Sequence, residues 1–145
     1  MNTQISSDDR QSRHHRTALA RALLVIVFVV LAAGNFALWQ FSRYRGNPFP
    51  AMPGLVVGCA LASTVMIGAI WIRKPLARTA LVVFNWLMVF VFSMPGLLMM
   101  SDRTTVQMGP LKMLAVGLVA YTISNIILIV SAPIHRLGAP RGCRG

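Results

Sequence analysis

The sequence predicts an all-α membrane protein, an antiparallel bundle of four transmembrane helices joined by short loops. Hydrophobic residues make up 56% of the 145 residues, and only 12% are charged. The charged residues bunch between long uncharged stretches instead of alternating with apolar residues, a distribution typical of chains that span a bilayer. Because barrel strands would appear as short alternating segments, runs of this length favour helices.

Four uncharged stretches are each close to the ~20 residues that cross a hydrocarbon core about 30 Å thick. The second stretch starts late because Pro48, Pro50 and Pro53 disfavour a helix before residue 51. We predict helices over about residues 20–42, 51–72, 79–101 and 111–134. The predicted regions are a flexible polar cytoplasmic tail (residues 1–16), the transmembrane domain (17–136) and a short basic cytoplasmic tail (137–145).

Basic residues are divided unevenly between the two ends of the predicted helices. Four of the 14 fall in the first and third loops, at Arg43, Arg45, Arg103 and Lys112. Basic residues in short loops favour the cytoplasmic side, so both termini are predicted to be cytoplasmic, in the plasma (inner) membrane. The other ten lie in or beside the two tails and the second loop: Arg10, Arg13, Arg16, Arg21, Arg73, Lys74, Arg78, Arg136, Arg141 and Arg144.

The first helix has an alternative interpretation as a cleaved signal peptide, since basic residues precede it and Ala32, Ala33 and Gly34 are small. Its uncharged stretch is longer than a usual signal-peptide core, and no clear small-x-small cleavage site ends it. A membrane-spanning helix is therefore the favoured interpretation.

The net charge of +11 does not indicate a nucleic-acid-binding protein. The basic clusters are predicted on opposite membrane faces, and no basic stripe with interleaved aromatic residues is present. We expect these residues to orient the helices and to contact anionic lipid headgroups, at ~1 kcal/mol each near a negative leaflet. Cys59 and Cys143 are predicted at depths too different for a disulfide, so both are expected to be free thiols.

Small residues recur every four positions in the second predicted helix, at Gly54, Gly58 and Ala62. This spacing places a groove on one helix face and permits another helix to approach closely. Packing within the bundle is the favoured interpretation, because three partner helices are available. A seam between two copies of the chain is the alternative.

Two polar layers are predicted inside the bilayer from the depth of each residue along its helix. Thr64, Asn85 and Asn125 fall roughly 10–14 Å from the cytoplasmic end, and Asn35 and Tyr121 fall roughly 20 Å from it. Hydrogen bonds between helices, at ~0.6 kcal/mol each, are the favoured interpretation, including one between Asn85 and Asn125. A hydrophilic path or a ligand site is the alternative.

Two proline–glycine pairs are expected to interrupt helical structure. Pro95 and Gly96 lie in the third predicted helix and should kink or break its outer third, because proline lacks a backbone N–H. A structural kink is favoured over the alternative of a broken helix that lines a substrate site. Gly109 and Pro110 are predicted to be a breaker in the third loop.

Several function classes lack the residues that they need. No Asp, Glu, His, Lys or Arg lies inside the four uncharged stretches, and the chain contains no Glu. Proton-coupled transport normally uses an intramembrane ionisable group, haem uses axial ligands, and intramembrane proteolysis needs an activated nucleophile or a metal site. We therefore predict no catalytic, cofactor-binding or metal-binding residues, and no enzyme activity.

The expected function is that of an accessory, assembly or interaction protein acting through helix–helix and lipid contacts. Its partner would be another membrane protein or a second copy of the chain. One alternative is a passive or weakly coupled carrier or channel for a neutral or lipidic solute that uses the two polar layers. A further alternative is an interfacial enzyme, for which Asp102 and His135 are the only acid–base candidates.

Overall fold

The computed structural model of the chain describes residues 3–43, 50–74, 76–101, 108–131 and 134. These residues form four α-helices and, within those ranges, no strand. Each helix contains a segment long and apolar enough to cross a membrane. The predicted all-α membrane fold is therefore confirmed, with helices α1 (Thr3–Ser42), α2 (Met52–Trp71), α3 (Ala77–Ser101) and α4 (Met108–Val130).

The helices are arranged as a ring in chain order. Each helix packs against the next one, and α4 closes the ring against α1 in the most extensive of the interfaces. Gly34 of α1 lies against Ala120 of α4, and Leu38, one turn further along α1, lies against Gly117, one turn earlier in α4. This register shows that the first and last helices are antiparallel.

The buried face of α1 explains how the bundle packs. Apart from Ala37, its buried apolar residues are separated by three, four or seven positions, which is the heptad pattern of helices that pack at shallow angles. The remaining surface exposes apolar side chains such as Val29 and Phe36. In a bilayer that surface meets lipid, and the helices associate through close packing and hydrogen bonds. The buried apolar residues of this face are Ala20, Leu24, Val27, Leu31, Ala37, Leu38 and Phe41.

Helix α1 begins at Thr3, well before its predicted start near residue 20. This differs from the flexible tail predicted over residues 1–16. The first glycine is Gly34 and the first proline is Pro48, so neither residue type interrupts this segment. Extending an existing helix is also far easier than nucleating a new one.

Helix α2 begins and ends close to its predicted bounds. Pro53 lies in the first turn, where its missing N–H removes no helical hydrogen bond. Beyond the last turn, the N–H groups of Arg73 and Lys74 donate to the carbonyls of Ile70 and Ala69, each at 2.9 Å. Arg73 has a φ of 65° in this Schellman-type end, a position that usually carries glycine.

Neither proline–glycine pair breaks a helix. Helix α3 continues through Pro95 to Ser101, so the predicted break is absent. A Cβ atom at Gly96 would lie 2.8 Å from the side chain of Leu114, so this glycine permits close packing of α3 on α4. Gly109 and Pro110 lie in the first turn of α4 instead of the preceding loop, because proline is tolerated there. At its other end α4 stops at Val130, earlier than the predicted residue 134.

Arginine side chains meet helix ends and indole rings at the limits of the bundle. The guanidinium of Arg21 lies 5.2 Å from the ring centroid of Trp71, which joins α1 to the end of α2. Arg78 Nε donates to the carbonyl of Leu128 at 2.8 Å and so joins the start of α3 to the last turns of α4. The first contact places Arg21, within α1, level with the end of α2, and the second places the start of α3 level with the last turns of α4.

Candidate functional site

Hydrogen-bonding side chains inside the bundle are the candidate site, because they are the only buried groups with polar chemistry away from the helix ends among the residues described. All are at most 7% exposed, and every helix contributes at least one. We call this set the polar core. Its members are Asn35, Ser63, Asn85, Tyr121, Ser124 and Asn125.

One end of the polar core is a hydrogen bond between α1 and α4. The hydroxyl of Tyr121 donates to Asn35 Oδ1 at 2.8 Å, with both residues buried. Gly34, next to Asn35, allows α1 and α4 to approach closely enough for this hydrogen bond. Any side chain at Gly34 would place a Cβ atom only 2.6 Å from Cβ of Ala120. The ring of Tyr121 also lies beside Phe92 of α3, with 6.4 Å between ring centroids. The depth-based pairing of Asn35 with Tyr121 therefore corresponds to a direct contact.

Helices α2 and α3 contribute to the same region through a contact between two sulfur atoms. Cys59 Sγ donates to Met88 Sδ at 3.0 Å, and Cys59 is a buried free thiol. Ser63 lies one turn beyond Cys59 in α2, and Asn85 lies about one turn before Met88 in α3. Because the short connection makes α2 and α3 antiparallel, both residues lie toward the same end of the bundle.

Helix α4 continues the polar core in that direction. Ser124 and Asn125 follow Tyr121 by about one turn and share its buried face. The Ser63 hydroxyl of α2 lies near the Tyr121 hydroxyl, although it is outside hydrogen-bonding geometry. From Tyr121 to Asn125 the polar core extends along α4 for about 6 Å, the rise of four helical residues.

Most of the polar core lacks hydrogen-bond partners within the described ranges. Asn85, Ser124 and Asn125 are 0% exposed. A buried polar group without a partner costs about 1–3 kcal/mol, so these groups destabilise the bundle unless another molecule pairs with them. The unpartnered atoms are Oγ of Ser63 and Ser124 and both Oδ1 and Nδ2 of Asn85 and Asn125.

The predicted hydrogen bond between Asn85 and Asn125 is therefore wrong. Both side chains are buried at similar depths, as the depth argument requires, but their amide atoms do not pair. Similar depth along two helices does not fix the direction in which each side chain points, so it does not ensure a hydrogen bond between them.

Thr64 does not belong to the polar core. It is exposed, and its hydroxyl donates to the carbonyl of Ala60 in its own helix at 2.8 Å. The adjacent Ser63 is buried instead, since it falls on the buried face of α2. Sequence reasoning chose the wrong neighbour because depth alone does not distinguish two consecutive residues. In the structure, Ser63 belongs to a regularly spaced buried face of α2: Met52, Val56, Cys59, Ser63, Ile67 and Ile70.

The predicted packing of Gly54 and Gly58 against other helices of the bundle is also wrong. Both glycines are exposed, and a Cβ atom at either would meet no atom within 4 Å. Ala62 is only half-buried. Inside the bundle, the close approach is between α1 and α4. It uses other glycines, Gly34 of α1 and Gly117 of α4, which lie on the buried faces of these helices that also carry Asn35 and Tyr121. We call the side of α2 that carries Gly54, Gly58 and Ala62 its small face. This face points outward from the bundle.

The polar core offers neutral hydrogen-bonding chemistry. Its amides and hydroxyls both donate and accept hydrogen bonds, and none of them carries a formal charge near neutral pH. In the described part of the chain, no group of three His, Cys, Asp or Glu residues could hold a metal ion. The acid–base candidates Asp102 and His135 and the second cysteine, Cys143, lie outside the described residues.

Comparison of the chain with family models, curated proteins and solved structures returned no match.

Proposed function

We propose that the chain is an accessory or assembly protein of the plasma (inner) membrane that binds another membrane-spanning helix through the outward face of α2. The observation that carries this proposal is the open space above Gly54 and Gly58, where an added Cβ atom would meet nothing within 4 Å. Glycine weakens a helix relative to alanine. In the middle of a membrane helix it is useful where another backbone approaches closely.

The distribution of polar groups supports the same proposal. The polar core is enclosed in the bundle, and an enclosed group does not touch an outside partner. The surface left for binding is apolar, and on α2 it combines the small face with exposed Leu61 and Val65. A partner helix would dock through shape and close packing, which is how helices associate within lipid.

The basic residues support the proposed orientation. Ten of the 14 lie in or beside the two tails and the second loop predicted from the sequence, so the positive-inside rule favours cytoplasmic termini. Near an anionic leaflet these residues would also hold the bundle at a defined depth. The proposed partner would therefore meet α2 in one fixed direction.

The mass of the protein assembly in mild detergent tests the proposal, measured by light scattering with the detergent contribution subtracted. The chain, extracted from its own membranes, is expected to run as an assembly larger than one chain. Gly58→Leu should reduce the mass to that of one chain without lowering thermal stability, because leucine fills the space that the partner occupies. Ala115→Leu, a matched change on the exposed face of α4, should leave the assembly intact.

Two results would contradict the proposal. The wild-type protein could already have the mass of one chain, or Gly58→Leu and Ala115→Leu could have the same effect on the assembly. A second protein in constant ratio to the chain would identify a distinct partner, whereas a multiple of the chain mass would identify a second copy.

A second candidate function is a passive or weakly coupled carrier or channel for a neutral solute. The specific observation in its favour is the set of unpartnered atoms in the polar core. A carrier is complete alone or with copies of itself, so a distinct stoichiometric partner would argue against it. We rank it second because Asn85, Ser124 and Asn125 are completely enclosed in this structure.

A further inference from the structure

The buried amides and hydroxyls of the polar core need an explanation that the proposed partner binding does not give. Ser63, Asn85, Ser124 and Asn125 are each at most 3% exposed, and their polar atoms have no partner in the described chain. Natural proteins pair nearly all such atoms. In lipid the requirement is stricter, because no bulk water reaches the bilayer core.

The unpartnered atoms converge from three helices. Ser63 of α2 approaches Tyr121 of α4, and Ser124 and Asn125 lie one turn from that tyrosine on the same face. Asn85 of α3 lies one turn from the Met88 that contacts α2. The unpartnered groups therefore lie on the buried faces of α2, α3 and α4, each within about one turn of a contact between helices.

The chemistry of these groups selects the kind of molecule that they bind. Each carboxamide offers two donors and one acceptor oxygen, and each hydroxyl offers one donor and two lone pairs. A complementary molecule needs donors and acceptors together. An ion would lose its hydration without meeting a buried opposite charge, so the site favours neutral molecules.

We propose that the polar core is an internal binding site for a small neutral molecule with both donors and acceptors, and that water occupies it in the resting protein. A buried water typically makes about three hydrogen bonds to polar groups that otherwise lack partners. Water bridges would satisfy Asn85 and Asn125 without a direct hydrogen bond between them. This inference is independent of the proposed partner on α2.

Water-edited solid-state NMR of the full chain in lipid bilayers tests the inference. Magnetisation from water should reach the side-chain Nδ2 groups of Asn85 and Asn125 several-fold faster than the methyl groups of Leu31 and Leu81. These leucines are equally buried, at 1% and 0% exposure, but lie among apolar side chains. Transfer to the two amides as slow as transfer to the leucines would overturn the inference.

A variant experiment checks that the signal belongs to this site. Asn85→Leu should reduce water transfer to the Asn125 amide, whereas Thr64→Val, on the exposed face of α2, should leave it unchanged. An equal effect of the two variants would contradict a shared site. If Asn85→Leu does not fold, the wild-type comparison with the leucines still decides.

A second probe distinguishes water from a larger solute. Carbon-13-labelled acetamide carries the same donors and acceptor as an asparagine side chain. Transfer from acetamide to the Asn85 and Asn125 amides, with loss of the water signal, would assign the site to small neutral solutes. Retention of the water signal, with no transfer from acetamide, would assign the site to water.

Discussion

Gly34 sets the distance between α1 and α4. The position of an added Cβ atom is 2.6 Å from Cβ of Ala120, which no real pair of Cβ atoms occupies, so the helices must separate to accept any side chain. Gly58 is its counterpart on the outside of the bundle, with open space above it. The same residue type therefore has opposite roles at two positions of similar depth.

The first prediction compares alanine at these two glycines. Gly34→Ala is expected to lower the free energy of unfolding by about 1–3 kcal/mol, the usual range for overpacking a filled core. Gly58→Ala is expected to raise it by about 0.5–1 kcal/mol, because alanine favours a helix over glycine. Reversible unfolding in mixed detergent micelles measures both. Equal effects at the two positions would contradict the placement of the two faces.

The second prediction concerns the hydrogen bond between Tyr121 and Asn35. Removing either partner leaves the other without its hydrogen bond inside the bundle, so the losses from Tyr121→Phe and Asn35→Leu should not add. A double-mutant cycle on the free energy of unfolding should give a coupling of about 0.6–1.7 kcal/mol. Tyr121→Phe combined with Thr64→Val is the control and should be additive. Additivity in the first pair would show that the hydrogen bond does not contribute to stability.

At the scale of the helices, the end of α2 contains an unfavourable backbone conformation, the only positive φ of a residue other than glycine in the described part of the chain. Arg73 has a φ of 65°, in the left-handed region where a Cβ atom crowds the backbone. The hydrogen bonds of the Schellman-type end hold it there. Its positive charge belongs to the cluster predicted to face the cytoplasm. The predicted orientation therefore favours a basic residue at position 73, whereas the backbone conformation favours glycine.

The third prediction follows from that conformation. Arg73→Gly is expected to increase the free energy of unfolding by about 1 kcal/mol, because glycine enters the left-handed region without the steric penalty. Lys74→Gly is the matched control, since it also removes a positive charge but should give no such gain. Thermal unfolding in detergent compares the two variants. A larger gain for Lys74→Gly would mean that charge, and not φ, determines the stability of this turn.

Helix existence and approximate bounds were predictable because they depend on local properties, namely long uncharged runs and the position of prolines. The start of α2 follows from Pro53, and the start of α3 follows from the charges near residue 78. The start of α1 was not predictable, because a helix extends into a polar segment that lacks an interrupting residue. Prolines in a first turn or among packed helices also need not interrupt, as Pro95 and Pro110 show.

The face that each residue occupies was harder to predict than its depth. Depth follows from counting along one helix, and it correctly brought Asn35 level with Tyr121. The inward direction depends on how all four helices rotate, and that rotation placed Ser63 inside, Thr64 outside and Gly58 on the surface. Within an apolar helix these alternatives differ little in composition, so the sequence pattern alone did not separate them.

At the scale of the whole molecule, the bundle has an enclosed polar core and an apolar outer surface. The first and last helices are antiparallel, and the short connections make each helix antiparallel to the next one. The start of α1, the end of α4 and the turn after α2 then lie on one side of the membrane, and the other two connections lie on the opposite side. The uneven distribution of ten and four basic residues is the basis of our proposal that the first side is cytoplasmic.

The membrane topology tests the central claim most directly, because four crossings fix the side of every connection. Fusions of a cytoplasm-active fluorescent protein and of a phosphatase active only outside the cytoplasm are placed after residue 145 and within residues 44–49. The account predicts fluorescence without phosphatase activity at residue 145, and phosphatase activity without fluorescence within residues 44–49. The same compartment for both positions would contradict the four-helix membrane bundle.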